Sequence, residues 1–152
     1  MLCVELTVKT FGELTAMELY EILRVRAGVF VVEQACVYQD IDGLDLDALH
    51  LFLEDEKGIG AYLRIFSKDA QTAWIGRVLT VDRGRGLGAE ILKQGIAAAG
   101  ERLKKDRIYL EAQTYAVGFY EREGFRVVTE EFLEDGIPHV GMVLDLNEWG
   151  ET

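Results

Sequence analysis

The segment from Ala73 to Leu103 limits what this chain can fold into more than any other part of it. A mostly apolar run rich in branched residues, Ala73 to Val81, leads into Asp82-Arg83-Gly84-Arg85-Gly86-Leu87-Gly88. Apolar or small residues then recur at helical spacing: Ile91, Leu92, Gly95, Ile96, Ala99 and Leu103. The order predicts a strand, a tight glycine turn and a helix whose stripe lies on a sheet. Such a turn gathers free backbone N–H groups and the positive end of a helix dipole at one point. That is a site for a phosphate or pyrophosphate, and glycine permits both the close approach and the positive φ it needs.

Two familiar phosphate ligands fit poorly. A nucleotide-binding P-loop needs Gly-Lys-Ser/Thr, which is missing here. A dinucleotide fold needs G-x-G-x-x-G near the start of a parallel sheet. This chain has G-x-G-x-G at mid-chain, after a predicted antiparallel hairpin.

The remaining pattern fits a single domain over residues 1–152 with a mixed sheet. Val4, Leu6 and Val8 alternate as a short strand, and Thr15 with Glu18 forms a capping box opening a helix that runs to about Val32. Gln34 to Ala48 reads as an Asp-rich loop with one helical turn. Leu49–Leu53 and Ile59–Phe66 read as a hairpin. After the glycine turn and its helix come a strand at Ile108–Ala112, a helix at Ala116–Glu123 capped by Gly124, and a strand at Phe125–Thr129. A loop marked by Asp135-Gly136 and Pro138 precedes the last strand, Val140–Leu146. The fold class is therefore α/β (α+β), a largely antiparallel central sheet flanked by helices.

Hydrophobic residues make up 49% of the chain, enough for a sizeable core. No apolar run reaches membrane-spanning length, and Met1 to Thr10 lacks the pattern of a signal peptide. The expectation is a cytoplasmic protein with no membrane partner. Cys3 and Cys36 match no zinc spacing and read as small apolar residues, although Cys36 lies in the loop that borders the site.

The net charge of −11 argues against nucleic acid as a partner. The charge is uneven. Glu33 to Glu56 holds eight acids and no Lys or Arg, whereas Arg83 to Arg107 holds seven basic residues and three acids. One region suits a cation and the other an anion, unless both are ordinary solvated faces.

Arg83-Gly84-Arg85-Gly86-Leu87-Gly88 resembles the R/Q-x-x-G-x-G/A loop of the GNAT acetyltransferases, in which the pyrophosphate of coenzyme A sits. Ala116 to Phe125 resembles that family's A-x-x-x-Y-x-x-x-GF segment, in the right order and on the right elements. Phe30-Val31-Val32-Glu33-Gln34, Tyr38-Gln39-Asp40-Ile41-Asp42, Ile75-Gly76-Arg77-Val78 and Glu134 to His139 resemble the ElaA-like subgroup. There are departures. Gln113 stands where many members carry Asn, and the strand Ala73–Val81 lacks the glutamate some members use as base.

The resemblance implies the GNAT fold, acetyl-CoA as donor, and direct attack of an amine on the thioester in a ternary complex. It implies that Leu79, Thr80 and Val81 hold the pantetheine arm. Arg83, Gly84, Arg85, Gly86, Leu87, Gly88 and Ala89 would hold the phosphates, with Gln113 and Phe119 completing the cofactor contacts. Tyr120 matches the family's acid, and a phenol suits protonation of a thiolate leaving group. Candidate bases are Glu33, Glu111, Asp40, Asp42 and His139. Of these, His139 has the most suitable intrinsic pKa, while His50 beside an apolar run reads as structural. The acceptor side would involve Glu33, Gln34, Tyr38, Asp40 and Asp42, the acidic stretch drawing a cationic small-molecule or peptide amine. Exposed sheet edges leave room for a homodimer. The rival expectation is an acyl-CoA-binding module without turnover.

Overall fold

The computed structural model describes residues 3–82 and 84–149. The chain runs β1 (Glu5–Thr10), α1 (Ala16–Arg26), a π-helical segment (Ala27–Glu33), β2 (Leu49–Asp55), β3 (Gly58–Ser67) and β4 (Thr72–Thr80). Then follow α2 (Leu87–Glu101), β5 (Arg107–Gln113), α3 (Val117–Glu121), β6 (Arg126–Val127), β7 (Phe132–Glu134) and β8 (Ile137–Asp145). The eight strands form one sheet in the order β1-β2-β3-β4-β5-β8-β6, with β7 also on β8. Among the described strands only β4 and β5 run parallel; α2 makes the crossover between them.

Alternation along the strands separates two cores. Leu51, Leu63, Ile65, Ile75, Ile108 and Leu110 face α2, whose Ile91, Leu92 and Ile96 are fully buried on them. Phe52, Tyr62 and Leu79 face the other way and pack on Ile22 and Val25 of α1. Full burial of each such side chain contributes about 1.5–3 kcal/mol. Thr15 caps α1 as its sequence predicts: its Oγ1 accepts from Glu18 N at 3.0 Å, and its own N–H donates to Glu18 at 2.8 Å.

Several boundaries differ from the sequence expectation. The first helix leaves α geometry at Ala27 and continues in π form to Glu33, with Gln34 N–H donating to Val29 O at 3.2 Å. The helix expected over 116–123 is a single turn at Thr114–Ala116 followed by the five residues of α3. The strand expected over 125–129 keeps only Arg126–Val127. Asp135-Gly136 joins two strands as a hairpin, with φ of 51° and 79°, so β8 begins at Ile137 rather than Val140. Positive φ at both central residues matches the twist of flanking strands, which is why Asp-Gly favours a hairpin there.

Candidate active site

Two irregularities open the sheet at its centre. β4 pairs with β5 only over Thr72–Trp74, and the two strands then part. Between Tyr62 and Arg64 the register with β3 shifts: Tyr62 faces Leu79 while Arg64 faces Gly76, so β4 carries one extra residue. This is a β-bulge, with Arg77 at φ 54°. In a regular strand Ile75 and Leu79 would share a face; here Ile75 faces α2 and Leu79 faces α1. Val81 N–H donates to Gly60 O at 2.8 Å, so the neighbouring Thr80 N–H and C=O point away from β3 and into the gap. The gap is a cleft of about 1330 Å³ that runs from the glycine turn past β4 and β5 to the 34–48 loop.

At one end, Gly84, Gly86, Leu87, Gly88 and Ala89 line this cleft. Gly86 precedes α2 at φ 74°, and none of the described side chains caps the helix, so its first-turn N–H groups are open to an anion. A Cβ at Gly84 or Gly86 would meet nothing within 4 Å; the turn is open space bounded by backbone. The space and the donors fit a pyrophosphate. Arg85 does not line the cleft: it pairs with Asp55 at 3.2 Å on the hairpin behind the turn. Val81, half exposed, does not line it either, and Arg83 lies outside the described residues.

Tyr120 lines the cleft from α3, wedged between Phe119 and Phe125 at ring distances of 5.0 and 5.9 Å. Burial, helped by Tyr115, pushes its phenol well above the usual range, so it keeps its proton. Its hydroxyl bonds to none of the described residues, leaving it available to a ligand.

At the other end the acids behave differently from the sequence expectation. Asp40, Asp42 and Asp45 are not free negative charge. Arg26, fully buried, reaches Asp45 at 2.6 Å and Asp40 at 3.1 Å. Arg64 holds Asp42 at 2.7 Å and Asp45 at 3.0 Å, and Arg77 holds Asp40 at 2.8 Å. Burial of charge demands such pairing, and it leaves Asp40 buried and with both carboxylate oxygens already engaged by arginines. Asp42 lines the cleft but is likewise engaged. Burial opposes its charged form, yet Arg64, the Leu44 N–H and Arg77 outweigh that and bring it down to about 2. His50 is structural, as expected: Nε2 donates to Asp45 O at 2.9 Å, Nδ1 accepts from the Tyr62 hydroxyl at 2.6 Å, and burial lowers its pKa.

The chain belongs to the GNAT acetyltransferase family. Residues 23–146 match the family model described as an acetyltransferase (GNAT) domain. Protein ElaA of Escherichia coli is 39% identical over 141 residues, covering 89% of this chain and 92% of ElaA. An acyl-CoA N-acyltransferase of Pseudomonas aeruginosa superposes with a TM-score of 0.84 at 43% identity, over 91% of this chain and 98% of that one. The crystal structure of ElaA superposes with a TM-score of 0.86 at 37% identity, over 93% of this chain and 99% of ElaA. The fold is thus the GNAT acyl-CoA N-acyltransferase fold, and the chain is ElaA-like.

Within this GNAT domain, Leu79, Thr80, Gln113, Phe119, Gln34 and Tyr38 all border the one cleft. Gln113 donates to Gln34 at 3.1 Å, joining β5 to the end of the π-helical segment. Glu33 is exposed and does not line the cleft, against the expectation that it borders the acceptor. Glu111 does, with its carboxylate accepting from the Tyr109 hydroxyl at 2.8 Å. His139 also lines it. Its Nδ1 donates to Ile137 O at 2.7 Å, so in the neutral ring Nε2 carries the lone pair, 3.7 Å from Glu134. Burial and the nearby Glu111 raise the Glu134 carboxyl.

Sequence reasoning missed Arg64, and it gave no site role to Arg77 or Glu134 although both stand in segments that resemble the ElaA-like subgroup. The two arginines carried a signal. Each sits inside an apolar strand run, where a charge implies a partner brought from elsewhere in the chain.

Proposed function

We propose that this protein is an N-acetyltransferase that moves the acetyl group of acetyl-CoA to a primary amine by direct attack in a ternary complex. The observation that carries the reading is the bulged and splayed β4, with the Thr80 backbone turned into a cleft that ends at an uncapped helix N-terminus. Pyrophosphate docks on the N–H groups of residues 86–89. The pantetheine arm lies along Leu79 and Thr80 in place of a neighbouring strand, so its amides meet backbone groups that β5 leaves unpaired. A β4 N–H then polarises the thioester carbonyl where charge develops. Holding both reactants in one cleft supplies much of the rate.

Tyr120 serves the departing thiolate. A phenol with its pKa raised by burial is a reluctant acid, so its main contribution is a hydrogen bond to the sulfur. His139 takes the proton of the amine, since its tautomer is fixed by Ile137 and its Nε2 is the free acceptor. Glu134, beside that nitrogen, supports the imidazolium as it forms. Asp40 and Glu33 have no part in this scheme.

Free-thiol release from acetyl-CoA with a panel of primary amines tests the reading, run beside the Tyr120→Phe variant. Turnover by the native protein is expected, falling at least about tenfold in Tyr120→Phe with acetyl-CoA affinity by calorimetry nearly unchanged. Acetyl-CoA uptake with no thiol release for any amine would leave a binding module instead.

A further inference from the structure

We infer that Arg77 is a positioning residue for acyl transfer, tying the bulge of β4 to the 34–48 loop through Asp40. The inference rests on the acyltransferase reading above. Arg77 occupies φ 54°, a conformation glycine adopts freely and other residues resist. Such a residue persists only where its surroundings over-determine it. They do so here. Arg77 Nε donates to Asp40 Oδ1 at 2.8 Å and Nη2 to Asp40 O at 3.0 Å. Nη2 also reaches Asp42 at 3.3 Å, and the guanidinium lies 5.3 Å from the centre of the Tyr38 ring.

Asp40 is itself a fixed post. The buried Arg26 holds its other carboxylate oxygen at 3.1 Å and its carbonyl at 2.9 Å, and the Tyr38 hydroxyl donates to it at 2.8 Å. The chain of contacts therefore runs from the α1 core through Asp40 to the bulge. What it secures is parity. A strand without the bulge would turn Leu79 out of its core and rotate the Thr80 backbone away from the cleft. Arg77 lines the same cleft, and the role inferred for it acts on the reaction through the Thr80 backbone.

Two substitutions separate that role from substrate contact. Arg77→Met removes the anchor and keeps the steric resistance to positive φ. Arg77→Gly removes the anchor and the resistance together. In the thiol-release assay, Arg77→Met is expected to lower kcat by about a hundredfold, with KM for the amine close to native. Arg77→Gly is expected to recover about tenfold of that loss, equivalent to about 1.4 kcal/mol. Equal losses in the two variants, or native kcat in Arg77→Met, would overturn the inference.

A second measurement covers poor folding of Arg77→Met. Arg77→Lys keeps the charge but not the forked grip on Asp40. Its Leu79 and Val81 amides are expected to exchange hydrogen at least tenfold faster than in the native protein, with β1 and β2 unaltered. Unchanged exchange there refutes the role. If the native protein binds acetyl-CoA without turnover, the proposed function fails, while amide exchange and acetyl-CoA affinity still decide the role of Arg77.

Discussion

Asp42 shows how far a residue's charge can be from its availability. It lies in the cleft, yet Arg64 and Arg77 take its carboxylate, and the ion pairs lower its pKa to about 2. A carboxyl depressed in the fold contributes stability that is complete above its ordinary pKa and is lost as pH falls through the depressed one. The stability gap between the native protein and Asp42→Asn, measured by urea unfolding, is therefore expected to be constant from neutrality down to about pH 4. It should close between there and about pH 2. A gap that persists unchanged at pH 2 would mean the pairing does not hold the loop. Counting charge along the chain could not expose this arrangement. The partners of the acids are 14 to 37 residues away in sequence, and only the fold brings Arg26, Arg64 and Arg77 to them. The glycines, by contrast, could be read locally, because turn chemistry depends on neighbours in the chain, while Tyr120 came from the likeness of Ala116 to Phe125 to the family's segment.

Among elements, the strand–turn–helix unit of β4 and α2 was the most legible. Apolar β4, the bare glycines and the stripe of α2 each follow a local rule, and the structure obeys all three. The bulge inside β4 was not legible, since the residue at positive φ is an arginine rather than the glycine that usually marks such a site. The π form after α1 was equally hidden, because its apolar spacing imitates an ordinary helix. The turn itself makes a prediction. Gly86 sits at φ 74°, and an alanine there should cost about 1–2 kcal/mol in stability. The same change is expected to weaken acetyl-CoA binding at least about tenfold, a loss of about 1.4 kcal/mol of binding free energy. Gly118 is the internal control. It lies in α3 with negative φ, its added Cβ would meet nothing within 4 Å, and it does not line the cleft. Gly118→Ala should be neutral or stabilising by up to about 1 kcal/mol, with binding unaltered. Calorimetry and urea unfolding on both variants check the pair, and similar binding in the two would remove the turn from the phosphate site.

At the scale of the whole molecule, the sheet is divided where the chemistry is placed. β1 to β4 form one antiparallel half and β5 to β8 the other, and their ladders meet over Thr72–Trp74 alone. Beyond that short seam the described contacts between the halves include α2, which packs on β2, β3, β4 and β5, the Gln113–Gln34 hydrogen bond, and the Cys36 thiol 3.7 Å from Asp135 O. None of the described helices is long and apolar enough to cross a membrane. A ligand lying along Thr80 would occupy the place of the missing ladder and link the halves. Any ligand that binds only the folded state stabilises it by mass action, by about 2.7 kcal/mol at one hundred times its Kd. For a domain of 152 residues this corresponds to a rise in Tm of about 5–11 °C. Coenzyme A at that concentration should produce the rise, and hydrogen exchange should slow in β4 and β5 together, because the ligand spans both. Protection confined to the glycine turn would mean that the carrier is held by its phosphates alone, and the pantetheine path along β4 would have to be abandoned.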